Sequence, residues 1–77
     1  MTAQMILMVL MNMKGMSQKK VAEAMGVKRQ SLNISMNRTK SMTCDRLCNA
    51  AEAVGYKIVV MPQDAAVPDD SYILTAE

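Results

Sequence analysis

A glycine between two helical stripes limits this chain more than any other feature. Val21, Ala22 and Met25 recur at spacings that place them along one side of a helix, with Ser17 ahead of them as a hydroxyl N-cap. Gly26 follows where that stripe stops, and glycine is the residue most at ease in the left-handed conformation that closes a helix. A second stripe begins at once, with Val27, Leu32 and Met36 inward and Lys28, Arg29, Gln30, Ser31 and Asn33 outward. Two short helices joined through a glycine at this spacing predict a helix-turn-helix.

The outward residues are suited to reading base edges. Arg can hold guanine O6 and N7 with two hydrogen bonds, and Gln or Asn can do the same at adenine N6 and N7. Arg29, Gln30, Ser31 and Asn33 are therefore the candidate base contacts, near the start of the helix that enters the major groove in this motif.

The surrounding residues extend the pattern. Ser17-Gln18, Val21-Ala22, Met25-Gly26-Val27, Gln30-Ser31, Asn37, Thr43-Cys44-Asp45-Arg46-Leu47 and Ala51-Glu52-Ala53-Val54-Gly55 together resemble the lambda-repressor-like (Cro/repressor, XRE-type) family of DNA-binding proteins. The likeness covers roughly residues 3 to 55. It implies a mainly α, four-to-five-helix domain that binds double-stranded DNA. It also implies that Gln18 bonds a phosphate and that the basic loop 37–41 touches the DNA backbone. Gln18, Lys19, Lys28, Asn37, Arg38 and Lys40 are the backbone-contact candidates, which would fix register and make binding salt-dependent. Lys28 departs from the family's frequent Ser or Thr cap. A solvated loop is the alternative for 37–41.

Charge is divided along the chain. All nine Lys and Arg lie in residues 1–61 against three acids, a net +6, while residues 62–77 hold four acids and no base, a net −4. A basic body with an acidic end suits a nucleic-acid binder, the alternative being two solvated surfaces. The expected division is a DNA-binding domain over 1–61 and an acidic tail over 62–77.

At 77 residues the chain makes one small domain, and folding at this size hides only about 60% of the surface. Cys44 and Cys48 read as core hydrophobes within a stripe of Cys44, Leu47, Cys48, Ala51 and Val54; a redox or metal pair is the alternative. With no histidine and only two cysteines, no metal site or cofactor is expected, and oligomerisation is the remaining support.

Thr2 caps a first helix, about Ala3 to Met13, with Ile6, Leu7 and Leu10 inward. Met5, Met8, Val9 and Met11 remain for an outer face, either a partner surface or a loose methionine-rich core. The apolar run Met5 to Met11 is far short of the ~20 residues that cross a bilayer, and the first fifteen residues lack a cleavable-leader pattern. A cytoplasmic, nucleoid-associated protein is the expectation.

After Gly55 the period changes. Tyr56-Lys57-Ile58-Val59-Val60-Met61, stopped by Pro62, reads as a strand. Its open edge favours pairing with a two-fold copy, making Tyr56, Ile58, Val59, Val60 and Met61 the homodimer contacts. The rival is a hairpin with a short strand at 72–75.

Without a histidine, a glycine-rich phosphate loop or a carboxylate pair, no enzyme is expected. The leading expectation is a repressor of a phage or mobile element, binding an inverted-repeat operator as a homodimer. The alternatives are the antitoxin of a toxin–antitoxin pair and a phage anti-defence or adaptor protein that binds a protein partner.

Overall fold

The computed structural model describes residues 1–37 and 41–75. It contains four helices, α1 (Ala3–Lys14), α2 (Gln18–Met25), α3 (Arg29–Ser35) and α4 (Cys44–Ala53). The starts of α1, α2 and α4 follow from side-chain oxygens placed one residue ahead. Thr2 Oγ1 accepts from the Met5 N–H at 3.3 Å, Ser17 Oγ from Lys20 at 3.2 Å and Thr43 Oγ1 from Arg46 at 3.2 Å. Each satisfies a backbone donor that the first turn leaves without an intrahelical acceptor.

The ends follow from backbone geometry. Gly26 sits at φ 73°, ψ 28°, and there the chain closes α2 with two bonds: Gly26 N–H to Glu23 O at 3.1 Å, and Val27 N–H to Ala22 O at 3.0 Å. This is the Schellman pair, and it turns the chain sharply enough that only three residues separate α2 from α3. The same pairing closes α1 at Gly15 and α4 at Gly55. A Cβ at Gly26 would meet nothing within 4 Å, so only the backbone opposes a side chain there. Gly26→Ala is expected to cost about 1–2 kcal/mol. It should appear as a lower denaturation midpoint at unchanged m; an unchanged midpoint would show that the turn tolerates another conformation.

The core lies among all four helices. Ile6, Leu7, Leu10 and Met11 come from α1, Val21 and Ala22 from α2, Leu32 and Met36 from α3 and its end, and Ala50 and Val54 from α4 and its end. Helix α2 packs against both α3 and α4, and α4 also packs against α1. Leu7, Leu32 and Val21 are fully buried.

Several expectations change here. Met11 is buried with Leu10 rather than on an outer face, because the apolar stripe of α1 is wide enough to take both neighbours. Met5 and Met8 do face outward, and Gln4, which sequence patterning passed over, is buried. Cys44 and Cys48 are exposed. The buried stripe of α4 is Leu47, Ala50 and Ala51, continued by Val54. At about 100° per residue, Cys48 falls on the flank of that stripe.

The expected strand at 56–61 is absent, and no residue among those described is in a β-strand. A strand exists only against a partner edge, and the intrachain edge is engaged elsewhere. Thr75 N–H donates to Met1 O at 2.9 Å, and the Met1 amino group donates to Ile73 O at 3.2 Å. The hairpin between 56–61 and 72–75 therefore does not form. Tyr72 and Tyr56 anchor this segment on α1: the Tyr72 hydroxyl donates to Met13 Sδ at 2.9 Å, and the Lys14 ammonium lies 5.7 Å from the Tyr56 ring centre. Between these anchors Ile58, Val59, Val60 and Met61 remain exposed.

Candidate nucleic-acid interface

The candidate interface is built on α3 and the helix start that precedes it. Burying Leu32 against α2 fixes which side of α3 faces inward, and the opposite side is left to solvent. Arg29, Gln30 and Asn33 are all exposed there. At about 100° per residue these three fall within one ~100° arc, so their polar ends project from one face.

Ser31 does not join them. It is half-buried, and its hydroxyl accepts from Arg46 Nη2 at 3.1 Å, turning it toward α4. The Ser31 carbonyl also accepts from Ser35 Oγ at 3.1 Å. Of the four expected base contacts, three stand together and the fourth is part of the support.

Ile34 was missing from the sequence reading. It is 59% exposed, one turn after Gln30 on the same rim of α3. The signal was available: the inward positions 32 and 36 leave 34 outward, and an exposed isoleucine at i+4 from Gln30 can touch whatever Gln30 touches.

The flanking positions are basic or amide-bearing. Lys28 and Lys19 are exposed, and Gln18 is half-buried in the first turn of α2. Asn37 is exposed just beyond α3. Arg38 and Lys40 lie outside the described residues. No acid stands on α3, so every formal charge on that helix and its cap is positive. The tail that carries Asp64, Asp69 and Asp70 is anchored at Met13 of α1 and at Met1 ahead of it.

Lys28 occupies the N-cap of α3 and makes no side-chain cap bond. Lys28→Ser is expected to stabilise the domain by about 1 kcal/mol, read as a higher denaturation midpoint. No gain would mean that the start of α3 is already satisfied by other means.

Comparison of the chain with protein-family models, with curated proteins and with solved structures finds no match. What the molecule itself offers is this face of α3. Among the described residues, no cluster of His, Cys, Asp and Glu could hold a metal ion, and no helix is long and apolar enough to cross a membrane.

Proposed function

We propose that the chain is a sequence-specific DNA-binding regulator of the lambda-repressor-like helix-turn-helix kind, acting as a homodimer that represses transcription at an inverted-repeat operator. The observation that carries this reading is the joint exposure of Arg29, Gln30 and Asn33 on one arc of a helix that bears positive charge and no acid. In the major groove Arg29 would grip guanine, and Gln30 and Asn33 would grip adenine, each through paired hydrogen bonds. Ile34 would rest against a thymine methyl group. Gln18, Lys19, Lys28 and Asn37, with Arg38 and Lys40 next in sequence, would hold phosphates and set the register.

Dimerisation supplies the symmetry. Residues 56–61 leave Ile58, Val59, Val60 and Met61 exposed with no ladder among the described residues, and pairing with a two-fold copy would satisfy their backbone groups and bring Ile58 and Val60 of both copies onto one shared face. Two reading helices would then enter successive major grooves about 34 Å apart.

A second reading, an antitoxin or an adaptor that binds another protein, is favoured by the exposed methionines Met5, Met8 and Met13 of α1. Unbranched, polarizable side chains of this kind recur on surfaces that accept protein partners.

Selection of random duplexes by the purified protein, with its mass measured in solution, tests DNA binding, site symmetry and dimerisation together. Arg29→Ala is then expected to cost about 1–3 kcal/mol on the selected site and to relax preference at one base pair. Lys19→Ala should weaken all sequences alike and reduce the salt slope by about one. The same uniform loss from both variants would overturn the division between reading and positioning residues.

A further inference from the structure

Helix α3 is poorly held for a part that must meet base edges with fixed geometry. It has seven residues and no side-chain cap, and Leu32 is its one fully buried side chain. A helix this short has no stability of its own. Leu32, with Met36 just beyond, sets which side of α3 faces α2, but one fully buried side chain on the helix restrains small rolls about its axis less than several would. A roll of ~15° moves a side-chain tip about 6 Å from the axis by ~1.5 Å, enough to break a hydrogen bond.

Arg46 supplies the missing constraint, and it does so against local preference. It stands in the first turn of α4, where the helix dipole disfavours a cation. It is half-buried, and its Nη1 is enclosed with no hydrogen-bond partner among the described residues. Its Nη2 donates to Ser31 Oγ, one residue before the Leu32 pivot. Residues that break local rules are where function is to be sought, since a buried unsatisfied donor otherwise lowers stability.

We propose that Arg46 is a positioning residue: its hydrogen bond to Ser31 sets the roll of α3, and so which base edges Arg29, Gln30 and Asn33 can reach. This rests on the DNA-reading role of α3. Arg46 touches no base itself, and Ser31 is its anchor rather than a reader.

The test compares the wild type with Arg46→Ala, Ser31→Ala and the double variant. Each is measured against the selected duplex and a random duplex over a range of salt. Amide hydrogen exchange along α3 is followed without DNA. Either single variant is expected to lower discrimination between the two duplexes about tenfold, spread over every base pair that α3 reads. Random-duplex affinity and salt slope stay unchanged, and exchange of the α3 amides quickens. The double variant is no worse than either single one, because both remove the same bond.

Three results overturn the proposal. A smaller salt slope in Arg46→Ala alone makes Arg46 a phosphate contact. A change confined to one base pair in Ser31→Ala alone makes Ser31 a reader. Unaltered α3 exchange in both shows that the bond holds nothing. A wild type that does not discriminate between duplexes sinks the DNA reading and this role with it, whereas a discriminating wild type with unaltered variants sinks this role alone.

Discussion

Leu32→Ala should lower the stability of the domain by about 2–5 kcal/mol and, if α3 reads DNA as proposed, abolish selective binding of duplex in the same step. Leu32 is fully buried, and it is the side chain by which α3 is seated on the core. Truncation removes its transfer free energy and leaves a cavity against α2 that neighbouring side chains fill only in part. A domain of this size has a total stability of about 4–11 kcal/mol, so the loss runs from about a fifth of it to all of it. In thermal unfolding each kcal/mol is worth roughly 4–8 °C at this size, which puts the expected shift at roughly 8 °C or above. Ile34→Ala is the control two residues away. That side chain is largely solvated, and its loss should change stability by no more than about 0.5 kcal/mol. Equal midpoints for the two variants would mean that α3 is not seated through Leu32, and the rim described for it would lose its geometric basis.

The parts of the molecule that sequence made legible are those governed by neighbours along the chain. Thr2, Ser17 and Thr43 announce helix starts because the capping bond spans only three residues, and Gly26 announces a stop because its conformation is local. The outward set Arg29, Gln30 and Asn33 follows from the helical period once Leu32 is known to face inward. What sequence left ambiguous depends on rotation or on distant segments. The stripe Cys44, Leu47, Cys48, Ala51 is as regular as Leu47, Ala50, Ala51, Val54, and only packing against α1 and α2 decides that Ala50 and not Cys48 faces inward. For Ser31, no local rule reveals that a guanidinium fifteen residues later will bond its hydroxyl. Residues 56–61 have strand chemistry, but a ladder needs an edge, and residues 73–75 give theirs to Met1.

If residues 56–61 pair across the proposed two-fold, Val60→Lys is expected to convert that dimer into a monomer while leaving the folded monomer almost untouched. Val60 is 96% exposed, so the monomer loses next to nothing when it changes, within about 0.5 kcal/mol. In a two-fold antiparallel ribbon of residues 56–61 the consequence is different. Alternate side chains share a face, so Ile58 and Val60 of each copy would be buried together, each worth about 1.5–3 kcal/mol. A lysine there sets like charges near each other across the two-fold and keeps both solvated, which opposes pairing. Losing the second reading helix removes the gain from simultaneous attachment, commonly 10²–10⁴-fold. Selective affinity for an inverted repeat should therefore fall by about 100-fold or more, while binding to a single half-site is retained. Val60→Thr keeps the branched shape suited to a strand and should remain dimeric. Sedimentation or light scattering reads the mass, and titration against one-half and two-half sites reads the coupling. A wild type that is monomeric at micromolar concentration yet prefers the two-half site would place the dimer contact elsewhere, with the exposed methionines of α1 as the surface to alter next.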